Sequence, residues 1–233
     1  MLSEQRVIKP IAHIESDLPT KFGLPRQSGL VEALTARILF EPEYRDPVAF
    51  RGLEGYSHLW LIWGFSLCGE SPGALTVRPP RLGGNIRVGV FASRSPFRPN
   101  SLGLSCVKIE SIDPGRGLIR VSGADLADGT PVYDIKPYVA YADSRPGARS
   151  GFVDDCPWEP LQVIVPEGIA HEFKERDLLA LRQILAADPR PPYHDGPERE
   201  YGLTFAGRNV KFRVDGTVVT VTRLEPPVPP CTS

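Results

Sequence analysis

Apolar residues in the first two thirds of the chain fall in short runs, several of them alternating with polar positions. Such runs occupy residues 7–14, 36–40, 58–65, 87–92, 102–112, 118–121 and 132–138. Each has strand length and is rich in β-branched or aromatic side chains, so each predicts a strand. Turn chemistry separates them, as at Asp113-Pro114-Gly115 and Asp128-Gly129-Thr130-Pro131. One helical turn is expected at Asp46-Pro47-Val48-Ala49-Phe50, with Asp46 as cap and Pro47 at the first helical position. The pattern changes after residue 166. Ile169, Phe173, Leu178, Leu181 and Leu185 recur at roughly helical spacing with charges between them, which predicts one helix over residues 167–187. It should stop before Asp188-Pro189, because proline disfavours helix in its predecessor. Residues 201–205, 210–214 and 218–224 predict three more strands, the last two joined by a hairpin at Asp215-Gly216.

Proline (25) and glycine (22) interrupt the chain too often for long helices before residue 166. Many short strands joined by such turns give a mainly β fold, a sandwich or a barrel. A small α+β unit should follow it. The expected division is residues 1–160 and 161–233, with a loose tail from residue 226. A chain of 233 residues, 41% hydrophobic, can bury one sizeable core, or one large domain with a small satellite.

Charge narrows the choice of partners. Lys and Arg number 27 against 28 Asp and Glu, for a net charge of −1, so the protein has no general basic coat and any RNA contact must be a local patch. Cys68, Cys106, Cys156 and Cys231 stand alone, which fits a reducing cytoplasm better than a disulfide framework or a zinc site. The first ten residues show no secretory signal, and the longest apolar run, residues 59–65, is far shorter than the ~20 residues of a membrane helix. His13, His58, His171 and His194 lack ligand spacing, so no metal is expected. No glycine-rich strand–turn–helix unit and no P-loop is present, which argues against dinucleotide binding of the Rossmann kind and P-loop chemistry.

One stretch is unlike the rest. Residues 71–109 contain no Asp or Glu but hold Arg78, Arg81, Arg87, Arg94, Arg98 and Lys108. Such segregation favours an anionic partner, and arginine suits planar anions held by two hydrogen bonds. The competing reading pairs these arginines with Glu41, Glu43, Asp46 or Glu54. Two proline-braced segments flank the 87–92 strand: Arg78-Pro79-Pro80-Arg81-Leu82-Gly83-Gly84-Asn85 and Ser93-Arg94-Ser95-Pro96-Phe97-Arg98-Pro99-Asn100. A stiffened loop loses less entropy when it grips a ligand. Further on, Asp134, Lys136 and Tyr138 alternate with Ile135 and Pro137, which places an acid, an amine and a phenol on one strand face. That row is either catalytic or binding, or simply a solvated sheet face.

These residues resemble the TrmO (TsaA-like) family. The resemblance is carried by residues 78–85, by Gly89-Val90-Phe91-Ala92 with residues 93–100, by Asp128-Gly129-Thr130-Pro131 and by Asp134-Ile135-Lys136-Pro137-Tyr138. Pro25-Arg26-Gln27, Gly52-Leu53-Glu54, Ser57-His58-Leu59-Trp60 and Asp188-Pro189-Arg190-Pro191 with Tyr193 extend it to about residues 6–225. Ser101 stands where the family pattern has proline and is expected to loosen its loop.

The resemblance implies a single-sheet β-barrel and a homodimer. It implies an S-adenosylmethionine-dependent methyltransferase acting on N6 of threonylcarbamoyladenosine at position 37, in the anticodon loop of tRNA. It also implies a cofactor site at Arg26, Gln27, Ser66, Leu67, Arg94, Leu104, Gly123, Ala124 and Asp125. Asp134, Lys136 and Tyr138 are the candidates for proton handling at the acceptor nitrogen. Arg78, Arg81, Arg98 and Arg190 are the candidates for tRNA phosphates. Two other readings compete: a hydrolase of a small phosphate- or carboxylate-bearing substrate, and a non-catalytic RNA-binding module.

Overall fold

A computed structural model describes residues 6–68, 75–156, 159–190 and 199–226. In chain order its elements are β1 (Ala12–Ser16), β2 (Thr35–Phe40), β3 (His58–Gly64), β4 (Thr76–Val77), β5 (Val88–Gly89), β6 (Leu102–Asp113), β7 (Leu118–Ser122) and β8 (Pro131–Pro137). These are followed by α1 (Ala140–Asp143), α2 (Phe152–Asp155), β9 (Gln162–Ile164), α3 (Glu167–Ala170), α4 (Glu175–Ala186), β10 (Glu200–Phe205), β11 (Arg208–Asp215) and β12 (Val218–Glu225).

Six strands close into a barrel in the order β1-β2-β7-β6-β3-β8, every pair antiparallel. Closure leaves no free sheet edge. The alternation seen in the sequence supplies the core: Ala12, Ile14, Ile38, Leu59, Leu61, Val107, Ile119, Val121 and Val132 all point inward and are buried. Two bulges bend the wall. One places Tyr133 as an extra residue between the Ile62↔Asp134 and Trp63↔Val132 pairs; the other places Glu110 between the Ile109↔Val121 and Ser111↔Arg120 pairs. The expected turn at Asp46 forms as a 3-10 turn over Pro47–Phe50, with the Asp46 carboxylate accepting from the Val48 N–H.

A second sheet has the order β10-β11-β12-β9, in which the short β9 pairs parallel to β12. Helix α4 packs on it through Ala180, Leu181, Ile184 and Leu185. Leu18, Val31, Ala33 and Leu34, from the excursion between β1 and β2, join the same core. The early part of the chain therefore contributes to the later sheet.

The structure corrects several sequence expectations. The single helix over residues 167–187 is two: α3 ends near His171, and α4 restarts after Lys174, whose backbone is extended. Breaking the helix lets Ile169 and Phe173 reach the core from a separate turn. The helix does end before Asp188, which takes φ +48 ahead of Pro189. Of the strand expected over residues 87–92, only Val88 and Gly89 pair, and Val90–Ala92 turns into a 3-10 helix. Residues 7–11 precede β1 rather than extend it. The tail lies outside the described residues, apart from Pro226.

Candidate active site

Three loops meet at one rim of the barrel. The Gly29 N–H donates to the Gly123 carbonyl at 2.8 Å, and the Gly123 N–H donates to Leu34 at 2.9 Å. Gly123 holds φ +74, and a Cβ there would stand 3.4 Å from the Gly29 backbone, so glycine suits this position on both counts. The Cys106 N–H, on β6, donates to Ser28 Oγ at 3.1 Å. Arg94 Nη1 donates to Gln27 Oε1, drawing the 93–100 loop over the 25–29 loop. The sequence candidates Gln27, Arg94, Gly123, Ala124 and Asp125 are thus brought together. Arg26 reaches the other way and donates to the Asp188 carbonyl at 3.2 Å. Ser66 and Leu67 are exposed just beyond β3, and Leu104 is 56% exposed on the outer face of β6.

Asp125 is the acid of this rim. Its Oδ1 accepts from Ser105 Oγ at 2.6 Å, and Ser105 Oγ accepts from Trp63 Nε1 at 2.9 Å. Burial pushes the Asp125 carboxyl up, while the Ser105 hydroxyl, backbone donors and Arg94 pull it back. Gly103 makes room for this chain, since a Cβ there would lie 2.2 Å from the Trp63 ring. Sequence reading missed Ser28, Trp63 and Ser105. The available signal was a hydroxyl on the apolar phase of a strand: Ser105 shares its face with Val107, two residues on.

The second cluster lies on the outer wall. Side chains of directly opposed residues share a sheet face, and the register sets Leu104, Ile62 and Asp134 in one cross-strand row and Cys106, Trp60 and Lys136 in the next. Tyr138 follows, its N–H donating to the His58 carbonyl at 2.9 Å, and its ring centroid lies 5.9 Å from that of Trp60. Lys136 Nζ sits 3.1 Å from Asp134 Oδ2. Asp143, which sequence reading did not single out, braces this wall. It accepts from the Val139 N–H at 2.8 Å and from Trp60 Nε1 at 3.0 Å, and these two donors hold its carboxyl below the usual range.

A groove of about 470 Å³ runs over Ile62 and Leu104, walled by Phe91, Arg98 and Asn100. Phe91 is 78% exposed. Ser101 closes the loop beside it with φ +46, its N–H donating to the Arg98 carbonyl at 3.1 Å. Proline could supply neither feature, so the expected loosening is replaced by a differently closed turn.

The arginines divide by environment. Arg78 is exposed, Arg81 sits in a 3-10 turn, and Arg98 donates to the Ser93 carbonyl at 2.9 Å. Arg87 donates to Thr76, while Glu41 faces His13 and Asp46 caps its own turn. Arg190 was expected to meet phosphate. Its side chain is only 15% exposed, and its Nε lies 2.8 Å from Asp188 Oδ1 in a two-point pair. That pair orders the loop whose carbonyl receives Arg26. Among the described residues no three His, Cys, Asp or Glu side chains group as a metal site requires, and no helix is long and apolar enough to cross a membrane.

Fold and site together define a closed antiparallel barrel with the charged and polar side chains of Gln27, Arg94 and Asp125 gathered at one rim, outside the usual α/β nucleotide-binding architecture. Comparison with known proteins makes this specific. Residues 13–144 match the tRNA-methyltransferase O N-terminal domain and residues 159–227 match the TrmO C-terminal domain. A tRNA (adenine(37)-N6)-methyltransferase of Escherichia coli is 38% identical over 226 residues, covering 93% of this chain and 96% of its own. Its counterpart from Eikenella corrodens is 44% identical over 69% of this chain and 92% of its own. A crystal structure of TrmO from Pseudomonas aeruginosa superposes with a TM-score of 0.77 at 32% identity, covering 95% of this chain and 99% of that one. The chain belongs to the tRNA-methyltransferase O family.

Proposed function

We propose that this protein transfers a methyl group from S-adenosylmethionine to N6 of threonylcarbamoyladenosine at position 37 of tRNA. The observation that carries the reading is the cross-strand row Leu104–Ile62–Asp134. It sets Leu104 and Ile62, which line the groove, directly across the sheet from Asp134, the first of the Asp134, Lys136 and Tyr138 row.

The donor set fits the cofactor. Arg94, steadied by Gln27, suits a carboxylate; Asp125 suits hydroxyl or ammonium donors; Leu67 and Leu104 suit the apolar faces of a nucleoside. S-adenosylmethionine supplies an electrophilic methyl group when bound. The protein's own work is then mostly positioning. The N6 lone pair is delocalised into the purine and the carbamoyl group, so the nitrogen is a poor nucleophile until its proton leaves. Asp134 takes that proton as the base, with Lys136 steadying its carboxylate and Tyr138 orienting the acceptor. An unstacked purine from an RNA loop finds an aromatic face in Phe91 at the groove wall. Arg78, Arg81 and Arg98 take phosphates, while Arg190 acts indirectly by ordering the loop behind Arg26.

Residues 1–160 carry the transfer, and Asp188, in the division from residue 161 onward, backs the 25–29 loop through its contact with Arg26. The protein works in the cytoplasm as a homodimer, a reading supported by the free thiols of Cys68, Cys106 and Cys156 and by the apolar exposure of Ile86 and Phe97. The names of the relatives favour neither a hydrolase nor a non-catalytic RNA-binding module.

Incubation with methyl-labelled S-adenosylmethionine and total tRNA tests the reading. Label should enter tRNA from normal cells and be absent from tRNA lacking the threonylcarbamoyl group. Equal labelling of both would remove that group from the substrate, and no labelling of either would remove the reaction.

A further inference from the structure

The chain Trp63–Ser105–Asp125 crosses the barrel wall from inside to rim, and its hydrogen-bond directions can be worked out. The indole N–H of Trp63 only donates, so the Ser105 oxygen must accept it. The one hydrogen of Ser105 is then left for Asp125 Oδ1, at the 2.6 Å separation common for a hydroxyl meeting a carboxylate. Ser105 is 0% exposed, so bulk water does not compete for either partner. Its strand neighbours on the inward face are apolar: Leu61 opposite and Val107 two residues on. A hydroxyl in that setting costs stability unless both of its bonds are made. Gly103, which no side chain could replace without displacing Trp63, shows that the indole's seat is shaped around the same chain.

We propose that Ser105 is a positioning residue of the cofactor site. Backed by Trp63, it fixes one oxygen of Asp125 as an acceptor and, with the Ser28 and Asp125 backbone donors, sets the orientation in which the carboxylate meets a hydroxyl or ammonium donor of the cofactor. The inference rests on the S-adenosylmethionine reading above and deepens it, because it assigns a role to two inward-facing residues that do not themselves touch ligand. Around Asp125, β6 contributes the Ser105 hydroxyl, the 25–29 loop contributes the Ser28 backbone, and the 93–100 loop contributes the Arg94 charge. Burial raises the Asp125 carboxyl, and Ser105 is the largest influence opposing that rise. The ionised form binds donors, so cofactor affinity should fall as pH drops through the Asp125 pKa. Loss of Ser105 should move that fall to higher pH.

The test is calorimetric titration of the full-length protein with S-adenosylmethionine across pH, for wild type, Ser105→Ala, Ser105→Thr and Trp63→Phe. Ser105→Ala should bind roughly tenfold or more weakly at neutral pH, as expected for losing a hydrogen bond to a charged group. Its affinity should also decline at a higher pH than wild type. Ser105→Thr should restore both properties. Trp63→Phe should shift the pH profile in the same direction by less, and it carries the test if Ser105→Ala does not fold. Wild-type affinity and pH profile in folded Ser105→Ala, or in Trp63→Phe where that variant carries the test, would overturn the proposal. Failure of the wild type to bind S-adenosylmethionine would instead overturn the functional reading beneath it.

Discussion

Asp134 and Lys136 meet at 3.1 Å because a strand returns every second side chain to the same face. Both groups are substantially exposed, so their contact adds little to stability, as is usual for surface ion pairs. Replacing them should therefore affect chemistry more than folding. Asp134→Ala should lower turnover by roughly 10²–10⁴-fold, the usual range for a proton-transfer group. Tyr138→Phe should lower it less. In both, S-adenosylmethionine affinity and the thermal midpoint should stay near wild type, and single-turnover methylation with separate cofactor titration checks this. Full activity in both variants would remove the row from the reaction. The row was legible in the sequence because it depends only on the two-residue strand period. The Trp63–Ser105–Asp125 chain was not, because its members are far apart in sequence and meet only through the β3–β6 register and the loop after β7.

At the scale of elements, α4 is held against the rest of the chain by two side chains on one backbone unit. The Ala33 N–H donates to Gln183 Oε1 at 3.0 Å, and Arg176 Nε donates to the Ala33 carbonyl at 3.2 Å. Ala33 is buried, so Gln183→Leu would leave its N–H without that acceptor and should cost about 1–3 kcal/mol by denaturant unfolding. Leu181, fully buried in the same helix, should cost about 2–5 kcal/mol as Leu181→Ala. The β6 bulge adds a third tie by aiming Glu110 at Ser122 Oγ, 2.6 Å away, and at Arg176 Nη2, 3.3 Å away. The Ser122 hydroxyl above all, and then Arg176 and Lys108, hold the Glu110 carboxyl below its ordinary range. A lowered folded-state pKa stabilises above the unfolded value and is lost as pH falls through the folded one. The difference in thermal midpoint between wild type and Glu110→Gln should therefore shrink on acidification below the normal carboxylate range. Hydrophobic spacing located α4 but not its break from α3, because Ile169 and Phe173 continue the helical period even though Lys174 is extended. It missed β9 because three residues, paired parallel to a distant strand, carry too little pattern to read.

At the scale of the whole molecule, a net charge of −1 coexists with a stretch of 39 residues, 71–109, that has no acidic side chain. If Arg78, Arg81 and Arg98 each meet one phosphate, the logarithm of tRNA affinity should fall with the logarithm of salt at a slope of about −2 to −3. Filter binding from low to moderate salt measures this, and a flat response would dismiss the patch. Removing Arg78 and Arg81 together should reduce the slope by about 2. What the sequence determined alone was local: strand and helix periods, turn chemistry, the Asp46 cap, the segregated charge, and the ordered motifs of the family. Tertiary structure decided which of these parts meet. Barrel closure brought residues 28, 63, 94, 105 and 125 to one rim, and the excursion between β1 and β2 carried Leu18, Val31 and Leu34 into the core of the second sheet. The physical reason is that side-chain period depends on neighbours a few residues away, whereas register and closure depend on pairings between residues that are distant in sequence.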